Sequence, residues 1–174
     1  MNATRDNIGL ISYSEGTRYT SAKRLEAEAW CKAYNKRLGR HVLYPRTKGF
    51  IACVQRLRTT THVKAVYDVT IAYARFTDEG VAIFQSPPTF AQTVFTPRLN
   101  EQWRFFVHVD RHPLCDLPRT DEALAQWLED RWVEKGERLG GLKERLPAGL
   151  PWSDLGSTDS TSAHDYATSS AVAG

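Results

Sequence analysis

The sequence predicts an α/β fold. Three observations carry that expectation: a helical apolar stripe over residues 21–38, period-two alternation over 63–73 and 103–109, and a second helical stripe running to about residue 146. Strand-like and helix-like stretches therefore interleave, as they do in a sheet flanked by helices. With 174 residues, 41% hydrophobic and 25% charged, the chain is long enough for one domain with its own core.

Each element follows from local pattern. Ile8, Leu10, Ile11 and Tyr13 predict a short buried strand that runs into the polar turn Ser14-Glu15-Gly16-Thr17-Arg18. Ala22, Leu25, Ala29, Trp30, Ala33, Tyr34 and Leu38 form the apolar stripe of the first helix. Lys23, Arg24, Glu28, Lys32, Lys36 and Arg37 lie opposite, and Gly39 is the expected stop. His41 to Tyr44 predicts a strand closed by Pro45. Thr47 is placed to cap a helix over residues 49–57, whose first turn Gly49 weakens.

Val63, Ala65, Tyr67, Val69, Ile71 and Tyr73 share one face of the next strand, and Lys64, Val66, Asp68, Thr70 and Ala72 the other. The second face is half apolar, so both faces are expected to be covered. Residues 76–100, with Gly80, Pro87, Pro88 and Pro97, read as a loop holding one short strand near Ile83 and Phe84. Trp103 to Val109 alternates as a strand. Thr120-Asp121-Glu122 opens the last helix, whose buried stripe is Leu124, Leu128, Trp132, Leu139, Leu142 and Leu146. Gly140-Gly141 is expected to break or loosen it. From Ser153 the composition turns to Ser, Thr, Asp, Ala and Gly, which predicts a disordered tail over residues 151–174.

Charge is unevenly spread. Residues 1–60 hold twelve Lys/Arg against four Asp/Glu, and the remainder eleven against sixteen. A basic front half suits an anionic partner: a phosphate-bearing substrate, an anionic lipid surface or nucleic acid. Nucleic acid ranks last, because the basic residues are spread around a helix and no base-reading pattern appears. Cys31, Cys53 and Cys115 are too few and too scattered for a disulfide framework or a cysteine zinc site, so no metal is expected. No apolar run approaches the roughly 20 residues that span a bilayer, and Met1 to Gly9 has no signal-peptide core. The chain is expected to lie on a membrane rather than to cross one.

The turn Glu15-Gly16-Thr17-Arg18 has the chemistry of an anion cradle. Gly16 lets backbone approach a ligand, Thr17 adds a hydroxyl, and Arg18 offers a planar fork for phosphate oxygens. Glu15 can orient Arg18 or bind a substrate hydroxyl. About 25 residues later comes Leu43-Tyr44-Pro45-Arg46-Thr47-Lys48-Gly49, then Val63 to Tyr73, then Trp103 to Val109, Asp116-Leu117-Pro118 and Trp127-Leu128 to Lys135. This order resembles the 1-acylglycerol-3-phosphate acyltransferase family, in its eukaryotic branch with a C-terminal extension, over roughly residues 8–146.

The resemblance implies a partial glycerolphosphate-acyltransferase-like sheet. Residues 1–75 would be the C-terminal part of the acyltransferase domain, and residues 76–150 the family's extension. It implies transfer of an acyl group from acyl-CoA to a lysophospholipid, with acyl-CoA as co-substrate, no cofactor, and association with the endoplasmic reticulum membrane. Glu15, Gly16, Thr17 and Arg18 would bind the glycerol phosphate, with Arg18 on phosphate. Pro45 would shape the pocket, and Arg46 and Lys48, by their charge, would support phosphate binding.

One part of the family pattern is missing. The family's base lies in Asn-His-x-x-x-x-Asp, upstream of the Glu-Gly-Thr-Arg block, and there it takes the acceptor's proton. No histidine lies upstream of Glu15. Five residues after His41, His62, His108, His112 and His164 stand Arg46, Tyr67, Pro113, Leu117 and Ser169. No catalytic residue is therefore expected in this chain. His41 reads as a half-exposed strand-start histidine, and Cys53 as a thiol without a base. The expectation is a fragment that binds acceptor and catalyses nothing by itself. The alternative is a non-catalytic phospholipid- or phosphate-binding module.

Overall fold

Alternating β-branched and aromatic residues favour extended backbone between Ala65 and Phe76, and this stretch is the central strand of the molecule. The structure is a computed structural model in which residues 10–148 are described. In chain order it contains α1 (Ser21–Ala33), α2 (Thr47–Arg58), β1 (Ala65–Phe76), β2 (Ala82–Gln85), α3 (Phe90–Phe95), α4 (Leu99–Gln102), β3 (Trp103–Pro113) and α5 (Asp121–Arg145), with a final 3-10 turn at Leu146–Ala148. The result is an α/β arrangement: a three-stranded antiparallel sheet, flanking helices and a C-terminal helix.

Strand order is β2-β1-β3. β3 pairs along nearly all of β1, with Val69 opposite Val109, Ile71 opposite Val107 and Tyr73 opposite Phe105. β2 pairs only with Tyr73 to Phe76, so the first part of β1 has a neighbour on one side alone.

α5 is the spine of the core. Thr120 caps it by accepting from the Ala123 amide, and Asp121 and Glu122 complement its first turn. Its leucines, with Leu146 of the 3-10 turn that follows, enter two clusters. Leu139, Leu142 and Leu146 pack on Val42, Ala72 and Ala74, while Leu124 and Leu128 pack on Phe50, Val54, Leu114 and Leu117.

The same face of the sheet sets Asp68 directly across from Asp110, which alone would be unfavourable. α5 neutralises the pair: Lys135 forms an ion pair with Asp68, and Arg138 Nη2 lies 3.3 Å from Asp110 Oδ2. His108 Nε2 also sits 2.9 Å from Asp110 Oδ1.

Several expectations are corrected. Residues 10–13 are not a strand, and Leu10, Ile11 and Tyr13 are 60%, 78% and 83% exposed. A strand needs neighbouring backbone, and none of the described residues pairs with them. His41 to Tyr44 is not a strand either, because His41 takes a left-handed φ of 62°. α1 stops at Ala33 rather than Leu38. Asn35 adopts a φ of 51°, and the Lys36 amide donates to Cys31 O at 2.8 Å, so asparagine performs the stop assigned to Gly39. α2 begins at Thr47, so Thr47 lies inside the helix and does not cap it.

Gly140-Gly141 leaves α5 unbroken. The loop after β2 contains the short helices α3 and α4. Only the half-polar face of β1 is covered, whereas Tyr67, Val69, Ile71, Phe105, Val107 and Val109 are exposed. The stripe of α1 is also open, with Leu25 and Tyr34 exposed and only Cys31 buried. Residues 8 and 9 of the first expected strand and the expected tail lie outside the described residues.

Candidate functional site

A turn closes at Gly16, whose amide donates to Tyr13 O at 2.9 Å. Gly16 has a φ of 65°, which calls for glycine, and a Cβ there would sit 3.1 Å from Arg46 Nε. The Arg46 amide donates to Ser14 O at 2.7 Å, and the Leu43 amide donates to Glu15 Oε1 at 3.1 Å. Two stretches separated by about 25 residues in sequence thus meet as one corner.

The corner is basic. The Arg46 side chain lies against Gly16, and exposed Lys48 stands in the first turn of α2. That turn holds no acidic residue. The partial positive charge of the α2 N-terminus adds to both side chains. Pro45 is buried beneath, fixing the chain just before the helix. Lys23 donates to the Thr17 hydroxyl. Arg18 is exposed and donates from Nη2 to Pro87 O at 3.1 Å, which ties the turn to the segment after β2. Of the residues singled out by sequence, Gly16 and Arg46 are in contact, Pro45 and Lys48 flank them, and Arg18 reaches toward Pro87.

Glu15 points inward. Its Oε1 also accepts from Trp132 Nε1 of α5 at 3.1 Å. Burial pushes its carboxyl above the ordinary value, while the Leu43 and Trp132 hydrogen bonds and the nearby Lys135 charge pull it back. Glu15 therefore joins the turn, the loop before Pro45 and α5.

Lys135 is the residue most easily missed in the sequence. It is 7% exposed, its Nζ donates to Val69 O at 2.8 Å, and it stands 4.7 Å from the centre of the Trp132 ring. Its signal is positional: Lys135 falls within the apolar run Leu128, Trp132, Leu139, Leu142, where a lysine needs a buried partner. Glu129, also 7% exposed, holds Lys36 Nζ at 2.9 Å and accepts from the Tyr44 hydroxyl. Burial and that hydrogen bond push the Tyr44 hydroxyl well above the ordinary tyrosine range.

His41 lies against Phe84, with ring centres 5.3 Å apart and ring planes tilted by 48°. Burial, then the charges of Lys143, Arg40 and Arg24, lower its pKa. Asp68, Asp110 and His112 bring ligand atoms within 4.8 Å of one another. Lys135 and Arg138 already occupy those carboxylates, so the donor set fits a charge-balanced sheet face better than a metal ion.

Beside the corner a cleft of about 1600 Å³ runs along β1, between the stretch Leu10–Tyr19 and the elements α2 and α5. Its walls are mostly apolar and include Phe50, Val66, Trp127, Leu128, Trp132 and Leu139. No helix among the described residues is long and apolar enough to cross a membrane.

Residues 100–145 match the family described as acyltransferase C-terminus. 1-Acyl-sn-glycerol-3-phosphate acyltransferase 2 of Arabidopsis thaliana is 34% identical over 130 residues, covering 75% of this chain and 30% of the relative. Lysocardiolipin acyltransferase 1 of Gallus gallus is 30% identical over 132 residues, covering 76% of this chain and 32% of the relative. The chain spans about a third of the length of the curated relatives it matches. No solved structure matches. β3 and α5, which hold the acyltransferase C-terminus, together with these relatives place the chain in the 1-acylglycerol-3-phosphate acyltransferase family.

Proposed function

We propose that this chain holds the phosphate head of a lysophospholipid acceptor for acyl transfer from acyl-CoA. The observation that carries this reading is the union of Glu15–Arg18 with the N-terminus of α2, through Arg46 N–H to Ser14 O and the Arg46 side chain on Gly16. Arg18, Arg46, Lys48 and the α2 dipole supply positive charge there without an opposing acid in the first helical turn. In this reading Thr17, whose hydroxyl accepts from Lys23, would also meet a glycerol hydroxyl, and Pro45 would shape the floor. The names of the relatives, which acylate 1-acylglycerol-3-phosphate and lysocardiolipin, supply the substrate class.

In this reading the acceptor hydroxyl needs a base to accept its proton before it attacks the thioester. No histidine of this chain has the His-x-x-x-x-Asp spacing, so the chain alone binds and does not turn over. Its working place is an endomembrane surface such as the endoplasmic reticulum. The chain should bind vesicles containing lysophosphatidate, and Arg18→Glu should weaken that binding about 10- to 100-fold, the size of one lost charge-assisted hydrogen bond. Unchanged binding by Arg18→Glu would count against the phosphate role. Turnover of acyl-CoA by the purified chain, abolished in His41→Ala, would overturn the non-catalytic reading.

A further inference from the structure

Between Glu79 and Arg98 the chain carries no charged residue, the longest such run in the sequence. The run forms β2 and then takes the chain from the β2 edge of the sheet toward the β3 edge, with α3 on the way. α3 buries none of its residues, and none of them belongs to either core cluster. Phe90 and Phe95 are 82% and 77% exposed, and Val94 is exposed as well. At about 100° per residue, Phe90, Ala91, Val94 and Phe95 share one side of the helix, and Gln92 and Thr93 the other. A lone exposed phenylalanine is ordinary, but two beside a valine on one short helix form a patch that marks a contact.

The polar groups of α3 are already satisfied. Thr89 caps it by accepting from the Gln92 amide, and the Gln92 side chain accepts from the Thr89 amide at 2.8 Å. The Thr96 amide donates to Gln92 O at 3.0 Å, and the Thr93 hydroxyl donates to Thr89 O at 3.0 Å. Pro87, Pro88 and Pro97, on either side, have no amide to satisfy. Two arginines border the helix. Arg98 has a 78% exposed side chain, 3.6 Å from Glu101, and Arg18 donates to Pro87 O at 3.1 Å. The acids Asp78 and Glu79 stand at the other end of the run, before β2.

We propose that α3 is an interfacial anchor, its Phe90, Val94 and Phe95 side chains entering an anionic lipid leaflet while Arg98 and Arg18 stay at the headgroups. Two features select lipid over a protein partner. A protein interface is fixed by a polar rim of hydrogen bonds, and α3 offers its partner phenyl and valine side chains with its backbone bonds closed. Hydrocarbon asks for the reverse: apolar side chains, and no polar backbone group left without a partner. The bordering arginines then complement anionic headgroups. Through the Arg18 bond to Pro87 O, the same anchor sets the basic corner beside the leaflet, so that an acceptor reaches Arg18 along the lipid surface. That last consequence rests on the lysophospholipid reading, whereas the anchor itself does not.

The test measures partition of the purified chain into vesicles of phosphatidylcholine and phosphatidylglycerol that contain no lysophospholipid. Phe90→Ser combined with Phe95→Ser should weaken partition at least about 100-fold, the loss of two phenyl groups from the lipid. In the wild-type chain carrying fluorophenylalanine, a nitroxide-bearing lipid should broaden the fluorine resonances of Phe90 and Phe95. It should spare Phe105, which is exposed on the open face of the sheet. Should the double variant fail to fold, the fluorine contrast decides alone. Unchanged partition of a folded double variant overturns the proposal, as does broadening of Phe105 with Phe90 and Phe95 spared. So do Phe90 and Phe95 resonances that shift with chain concentration in the absence of vesicles, which would give the patch to a second copy. Glycerol 3-phosphate should bind the double variant and the wild-type chain alike. Its failure to bind either would count against the basic corner and leave the partition result to judge α3.

Discussion

Glu15 shows how one carboxylate can organise a site it does not visibly serve. It accepts from Leu43 and Trp132, so Glu15→Ala leaves two donors without their partner and should cost about 1–3 kcal/mol, read as a lower urea midpoint. Its pKa is raised by burial above 4.5. Folding therefore favours the protonated form, and that contribution is complete below 4.5 and lost as pH rises through the raised value. Glu15→Gln cannot ionise, so its stability relative to wild type should improve between about pH 4 and about pH 7. A difference that stays constant across that range would show that burial does not govern Glu15.

Lys135 gives a second test at the residue scale. Lys135→Met leaves Asp68 and Asp110 opposed under α5 without the lysine's charge, with Arg138, His108 and His112 beside them, and should cost about 3–5 kcal/mol. Asp68→Asn should restore part of that loss, and no restoration would remove the ion pair from the account.

At the scale of elements, glycines separate two opposite effects. A Cβ at Gly136 in α5 would lie 2.3 Å from the Arg40 amide nitrogen, in backbone that cannot yield, so Gly136→Ala should destabilise by about 1–3 kcal/mol. Gly49 in α2 meets nothing within 4 Å, so Gly49→Ala should stabilise by about 0.5–1 kcal/mol through helix propensity. Thermal midpoints moving in the same direction would contradict the packing of α5 on the Gly39–Arg40 turn.

These glycines also mark what could be read from sequence. β1, β3, α2 and α5 were legible because their periodicity records which face is buried, and α5 carries both a cap and first-turn acids. Residues 10–13 have a strand's composition but no partner among the described residues, and composition cannot supply one. The stripe of α1 was legible as a pattern but not as burial: Arg24, through Val42 O at 2.8 Å, ties the helix down by its polar side. Gly140 lies where Arg40 crosses α5, so it answers to a tertiary contact and not to a helix break.

Across the whole molecule, the basic front half acquires a location. Arg46 lies against Gly16 and Lys48 stands in the first turn of α2, with Arg18 bonded to Pro87 O, while the acids of α5 turn to Lys36, Arg37 and Arg40. The motif blocks were legible as sequence, but their meeting was not. It depends on the Arg46 N–H to Ser14 O bond, which no periodicity encodes.

The most direct test of this account is a titration of the ¹⁵N-labelled chain with lysophosphatidate below its micelle concentration. Amide shifts should concentrate at Gly16, Thr17 and Arg18 and at Thr47 to Gly49, saturate, and be displaced by glycerol 3-phosphate. Arg46→Glu should weaken them about 10- to 100-fold. Shifts scattered over the exposed sheet face, or unaltered in Arg46→Glu, would contradict a phosphate site at this corner.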